Sequence, residues 1–300
     1  MADHGRLRRR FDRVLGYRLQ AALVWLFIRA MRLLSPERAS NLGGALLRAL
    51  GPRLSRSRRM RRDIRRALPA VEPARVDEIV TQAWDNLGRT FAEYVHLDRI
   101  AADFDRHVDL TGGEYLRALV GDGRPGIVFT GHFANWELCA MVSARMGLDL
   151  TYVYRKPNNP YVATMLAKAR APLGGSMVPK GREAARGLMA AIRAGGHVGL
   201  LVDQKRNEGP LVPFLGREAR TGTVLADLAL RYDAPAVPIR VIRTGAARFR
   251  VTVLPPLQFV RTGDMKADTL AVMTQVNGLL EDWVRADPGQ WMWQHRRWPD

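Results

Sequence analysis

Between residues 126 and 254 short apolar runs alternate with helical stretches, and this alternation constrains the fold more than any other feature of the chain. The runs are GIVFT (126–130), LTYVY (150–154), SMVP (176–179), VGLLV (198–202) and AVPIRVI (236–242). Each suits one buried strand, and helical segments of roughly ten to fifteen residues separate them, so the connections are crossovers and the sheet is largely parallel. FRVTVL (249–254) follows too closely for a crossover and is expected to form an antiparallel hairpin at one edge. Upstream, Val76, Ile79, Val80, Ala83, Trp84, Leu87, Phe91, Tyr94 and Val95 recur at three-and-four spacing, giving one long helix with a buried face. Residues 264–286 read as a last amphipathic helix. The expected class is therefore α/β, a largely parallel sheet flanked by helices. Cys139 is the only cysteine, which excludes an intramolecular disulfide and any cysteine-based metal cluster; it reads as core packing.

The charge is uneven. The chain carries a net charge of +18, yet residues 1–66 alone hold 18 arginines against 4 acidic residues. A basic arm of this kind meets either nucleic acid or an anionic membrane surface. Within it, RLQAALVWLFIRAMR (18–32) contains an apolar run only from 21 to 28, whereas a span needs about 20 predominantly apolar residues. On a helix Arg18 and Arg29 lie within about 20° of each other, and Arg32 is about 60° from Arg29, so the three share one face. Leu23, Val24, Trp25, Phe27 and Ile28 occupy the remainder, which suits a helix lying in a membrane interface or one packed on its own domain. No small-residue cleavage pattern marks a signal peptide. No zinc-finger or RNA-binding motif appears, so an anionic membrane is the expected partner and nucleic acid is not. The division expected is a basic helical membrane-associating segment, 1–70, and an α/β domain, 71–300.

GIVFTGHFANWEL places His132 directly after a strand and Glu137 five residues on. In one continuous helix that spacing would set them about 140° apart, too far to pair. With His132 in the turn before the helix, the ring can fold back, donate one proton to Glu137 and turn its other nitrogen to a cleft as a general base. A hydrogen-bonded structural histidine is the other reading of the same spacing. G-x-S-x-G and the phosphate-loop pattern are both absent, so the pair has no protein nucleophile beside it. A base of this kind would deprotonate a substrate hydroxyl, which points to group transfer with no metal and no cofactor. Arg155, after the next strand, is suited to a developing oxyanion.

GHFANWE, YRKPNNP, GHVGLLVDQ followed by VPFLGREARTGT, and the terminal PGQWMWQHRRW occur in the order found in the late acyltransferases of lipid A biosynthesis, and the chain resembles that family over about residues 15–298. The resemblance implies a glycerol-phosphate acyltransferase-like fold on the cytoplasmic face of the inner membrane. It also implies transfer of a fatty acyl chain from acyl carrier protein to a hydroxyl of a lipid A precursor. His132 would then be the base, Glu137 its partner, and Arg155 and Asp203 further polar positions of the active site. Ala134 stands where many members carry glycine, and the residues after VDQ fall in a region that varies. Relatives with the same pair acylate lysophospholipids or other glycolipids, so the acceptor has that alternative. A non-enzymatic basic binding protein is the alternative of a different class. Lys180 and Arg182 could hold a phosphate of the acceptor or of the donor's pantetheine arm, or be solvated surface. Thr221 fits either an N-cap or the lining of an acyl pocket. Trp291, Trp293 and Trp298 suit either a bilayer interface or burial against the last helix.

Overall fold

The computed structural model describes residues 2–299, with side chains from residue 15 onward apart from Arg182. Four helices open the chain: α1 (Ala2–Arg32), α2 (Pro36–Leu50), α3 (Ser55–Ala67) and α4 (Pro73–Glu93). Ser35 caps α2 by accepting from the Arg38 amide, and Pro36 occupies the first turn, where a missing N–H costs nothing. α2 lies directly on α4. A Cβ on Gly43 would stand 2.4 Å from the Gly88 carbonyl oxygen, so only glycine lets the two backbones approach this closely. Met60, Ile64 and Ala67 of α3 share one buried cluster with Val76, Ile79 and Val80 of α4 and with Trp283 and Trp291 near the C-terminus. Residues on either side of position 70 therefore bury one another.

Beyond α4 run α5 (Leu97–Ala102), α6 (Phe104–His107), β1 (Val108–Thr111), α7 (Gly113–Gly121), β2 (Gly126–Thr130) and α8 (Leu138–Arg145). Then come β3 (Leu150–Tyr154), α9 (Pro160–Arg170), β4 (Ser176–Pro179), α10 (Arg182–Arg193), β5 (His197–Leu201) and the pair β6 (Leu211–Phe214) and β7 (Arg217–Arg220). The chain closes with α11 (Val224–Tyr232), β8 (Ala236–Gly245), β9 (Arg248–Val253) and α12 (Met265–Ala286). Seven strands form one sheet in the order β1-β9-β8-β2-β5-β3-β4. The five from β8 to β4 are parallel, and β9 pairs antiparallel with β8, as the short connection requires.

Every apolar run became a strand, with β5 starting one residue early and β8 running on to Gly245. The β8–β9 hairpin does not end the sheet: β1 lies outside it, parallel to β9. VDLT, four residues with one acid, carries too little apolar pattern to announce itself. The hairpin β6–β7 also escaped the sequence reading, because REAR is almost wholly charged. Its two-residue loop, Leu215 and Gly216, has positive φ at both positions, 50° and 68°, the turn that matches the twist of antiparallel strands.

Alternation along the strands builds a core on each face. Val128 faces Leu138, Met141 and Val142 of α8, while Ile127 and Phe129 face α11 and α12. Trp291, Trp293 and Trp298 are buried in a third cluster, with α3, α4, Phe214 and the C-terminal turns of α12, so burial rather than an interface accounts for them. Among the described residues no helix is long and apolar enough to cross a membrane.

Candidate active site

β2 and β5 are parallel neighbours with Thr130 opposite Leu201. Two residues past each of those positions, at the C-terminal edge of the sheet, stand His132 and Asp203. Their adjacency follows from the register. The His132 Nδ1–H donates to Asp203 Oδ1 at 2.7 Å, and the His132 amide donates to Asp203 Oδ2 at 2.8 Å. The Trp291 indole donates to the same Oδ2 at 2.8 Å. Asp203 is wholly buried; burial opposes its charge, but the His132 ring and amide outweigh that penalty and hold the carboxyl well below the usual range. Ionised Asp203 can only accept, so in the neutral ring the proton is fixed on Nδ1 and Nε2 carries the lone pair.

The histidine's partner is thus Asp203, and the bond expected to Glu137 is not made. His132 does sit in the turn before the helix, but α8 begins at Leu138 and Glu137 is its N-cap residue. From there the Glu137 carboxylate turns to α4 and α9. Arg170 donates to it twice, from Nη2 at 2.6 Å and Nε at 3.1 Å, the buried Tyr94 hydroxyl donates to Oε1, and the Trp136 indole donates at 3.2 Å. Burial, then the charge of Glu137, raises the Tyr94 phenol well above its usual value, so it stays a donor. Trp136 also meets His132 with ring centroids 4.9 Å apart, which links the two clusters through a single indole.

The turn that carries His132 is held in an unusual backbone. Ala134 has φ of 45°, a left-handed conformation that costs a residue with a Cβ about 1–2 kcal/mol. Its amide donates to the Gln290 carbonyl at 3.0 Å, and its carbonyl accepts from Thr90 Oγ1 at 2.8 Å. The next residue, Asn135, donates at 3.1 Å to Glu93, a fully buried carboxylate that also takes the Ser40 hydroxyl and the Arg243 guanidinium. Helices α2 and α4, strand β8 and the C-terminal segment therefore all grip this turn.

His132 opens onto a cavity of about 400 Å³. Val128, Leu150, Gly199, Leu200 and Leu225 give it apolar walls, and Arg155, Lys180, Gln204 and Arg206 lie on its lining as polar groups. Lys180 is lowered by burial and then by Arg206 and Arg155, which places three cations around one opening. Cys139 also lines the cavity; burial pushes its thiol up to about 12, so it is an inert wall. Arg155 and Lys180 thus meet at the site with His132 and Glu137. Arg182 has its side chain outside the described residues. Thr221 is not on the cavity wall: it is fully buried, donates to the Ala219 carbonyl and accepts from Arg297 at 2.9 Å. Nor does it cap α11, whose N-cap residue is Thr223.

Residues that the sequence reading did not assign complete the site. Gln204 Nε2 lies 3.1 Å from His132 Nε2, and His295 donates from Nε2 to the Asp203 carbonyl at 3.2 Å. Gln204 follows Asp203 directly, a signal that was present. Arg170 and Tyr94 have no local signal at all, because only the packing of α4, α8 and α9 brings them to Glu137. Among the described residues no group of three or more His, Cys, Asp or Glu is placed to hold a metal ion.

Comparison with known proteins gives three results. No curated protein matches the sequence. A similar solved structure is that of the 1-acyl-sn-glycerophosphate acyltransferase PlsC from Thermotoga maritima, at 11% identity, covering 80% of this chain and 98% of that chain with a TM-score of 0.37. The profile of the bacterial lipid A biosynthesis acyltransferases matches residues 10–300, which spans the sheet, the His132 turn, the cavity and the C-terminal indoles. The chain belongs to that family and is an acyltransferase acting on lipid substrates.

Proposed function

We propose that the protein moves a fatty acyl chain from the thioester of acyl carrier protein to a hydroxyl of a lipid A precursor, with His132 as general base. The observation that carries this reading is the His132–Asp203 pair, whose lone-pair nitrogen stands at the mouth of an apolar cavity ringed by cations. The acceptor hydroxyl gives its proton to His132 Nε2 as its oxygen attacks the thioester carbonyl carbon. Asp203 stabilises the imidazolium that results, and the thiolate leaves with that proton as the C–S bond breaks. The walls formed by Val128, Leu150, Gly199 and Leu200 suit a hydrocarbon chain, and Arg155, Lys180 and Arg206 suit the phosphate groups that donor and acceptor both carry. Glu137 acts from the wall: pinned by Arg170, it holds Trp136 against the His132 ring.

The proposed site of action is the cytoplasmic face of the inner membrane. Leu15, Leu19, Leu23 and Leu26 are exposed along α1 and fall within an arc of about 80°; Leu42, Leu46 and Leu50 make a second exposed stripe on α2. Arg18, Arg29, Arg38 and Arg48 accompany these stripes, which supports shallow binding to an anionic bilayer by burial and charge together. The test of the whole reading is reconstitution. Purified protein, acyl carrier protein charged with dodecanoyl, tetradecanoyl or hexadecanoyl groups, and an under-acylated lipid A precursor should give an acceptor heavier by one acyl group. A lysophospholipid acceptor should not react comparably; if it does and the precursor does not, the acceptor is misassigned.

A further inference from the structure

The nitrogen that the proposed reaction needs already has a neighbour. Asp203 fixes the ring proton on Nδ1, so in the neutral ring His132 Nε2 accepts, and the group facing it at 3.1 Å is the NH₂ rather than the carbonyl end of the Gln204 carboxamide. Gln204 is exposed, lines the cavity, and makes no other side-chain hydrogen bond among the described residues. A hydroxyl that donates to Nε2 must displace this amide from its place, and after a shift of one hydrogen-bond length the amide lies beside the reacting oxygens.

The three backbone amides nearest the His132 ring already have acceptors. The His132 amide is spent on Asp203, the Phe133 amide on the Gly131 carbonyl and the Ala134 amide on the Gln290 carbonyl. We propose that Gln204 is a further catalytic residue: its amide fills the acceptor's position on His132 in the empty site and, once displaced, donates a hydrogen bond to the thioester oxygen as charge develops there. This rests on the acyl-transfer reading with His132 as base. In that step the acceptor O–H bond breaks as its proton passes to Nε2 and the new C–O bond forms. The carbonyl π pair moves to the oxygen that Gln204 contacts, then re-forms the carbonyl as the C–S bond breaks and the thiolate takes the proton. A neutral donor already aimed at the reacting atoms beside apolar walls is worth more than a water that must reorient.

Gln204→Met keeps the length of the side chain and removes the donor; Gln204→Glu replaces it with an acceptor. With dodecanoyl-acyl carrier protein and an under-acylated lipid A precursor, Gln204→Met is expected to lower kcat by about 10²–10³ with the acceptor KM changed only a few-fold. Gln204→Glu is expected to fail to restore kcat and to move the acid limb of the pH profile to higher pH, because a carboxylate at 3.1 Å stabilises the imidazolium. Unchanged melting temperatures would show both variants folded. A wild-type protein that transfers nothing would overturn this role and the parent reading together. If the wild type is active, His132→Ala is inactive and Gln204→Met equals or exceeds wild type, the amide only competes with the hydroxyl; the oxyanion role falls and the parent reading stands.

Discussion

His132 Nδ1 lies 2.7 Å from Asp203 Oδ1, and the two residues hold equivalent places just beyond the paired ends of adjacent parallel strands. The sheet register itself positions the base, since any slip between β2 and β5 would part them. Replacing Asp203 with Asn removes the only acceptor that fixes the tautomer and leaves the fold's hydrogen-bond count nearly intact. The expected result is a fall in kcat of about 10²–10⁴ in a protein that stays folded but melts below wild type, because the stabilising charge of Asp203 is lost, measured by single-turnover transfer and calorimetry.

The Arg170–Glu137 pair is largely buried and shares Tyr94 as a third member. Arg170→Met should cost about 3 kcal/mol or more, because it leaves a buried carboxylate without its counterion. Adding Glu137→Gln to Arg170→Met should restore more than half of the loss in denaturant unfolding. A double variant no more stable than the single would show that the packing of Arg170, and not its charge, is what matters.

The sheet was legible because buried parallel strands are apolar throughout and stand out between helices, as GIVFT and LTYVY do. β1 and the β6–β7 hairpin were not, because VDLT is short and half polar, REAR is almost wholly charged, and both find their partners only through the fold. His132 was legible for a related reason: it follows a strand at the edge where such sheets place their sites. Its partner was misread because the spacing of His132 and Glu137 is a local pattern, whereas Asp203 becomes a neighbour only through strand pairing. Thr221 shows the converse, a residue type suited to a site or a cap that instead anchors Arg297.

His295 gives the fold a pH dependence. Burial pushes it down to about 4 from 6.5, against the pull of Asp203, so the unfolded chain binds a proton across that interval and the folded chain does not. Stability is therefore full above pH 6.5 and falls toward pH 4, by about 3 kcal/mol from this group. Asp203, shifted the other way, contributes above its unfolded pKa of about 3.9 and loses that contribution only at lower pH. His96, also lowered by burial, has the same sign as His295. Urea unfolding of His295→Gln should show a shallower, still sloping, dependence between pH 6.5 and 4.

The apolar residues at the end of α1 separate into exposed and packed ones. Ile28 is half-buried against Met31, Ala39 and Val95, whereas Leu19, Leu23 and Leu26 face outward. Changing those three leucines to serine should weaken sedimentation with anionic vesicles even at low salt and leave the melting temperature unchanged, since burial adds roughly 25 cal/mol per Å² to the charge term. Undiminished binding by the triple variant would make the arm purely electrostatic.

The central claim is that His132 takes the proton from an acceptor hydroxyl. The most direct measurement is the rate of acyl transfer by His132→Ala, followed by mass spectrometry of the lipid product from an under-acylated lipid A precursor and acyl carrier protein thioesters. The variant should remain folded and monodisperse and lose transfer by about 10²–10⁴. Transfer at the wild-type rate by a folded His132→Ala protein would contradict the account.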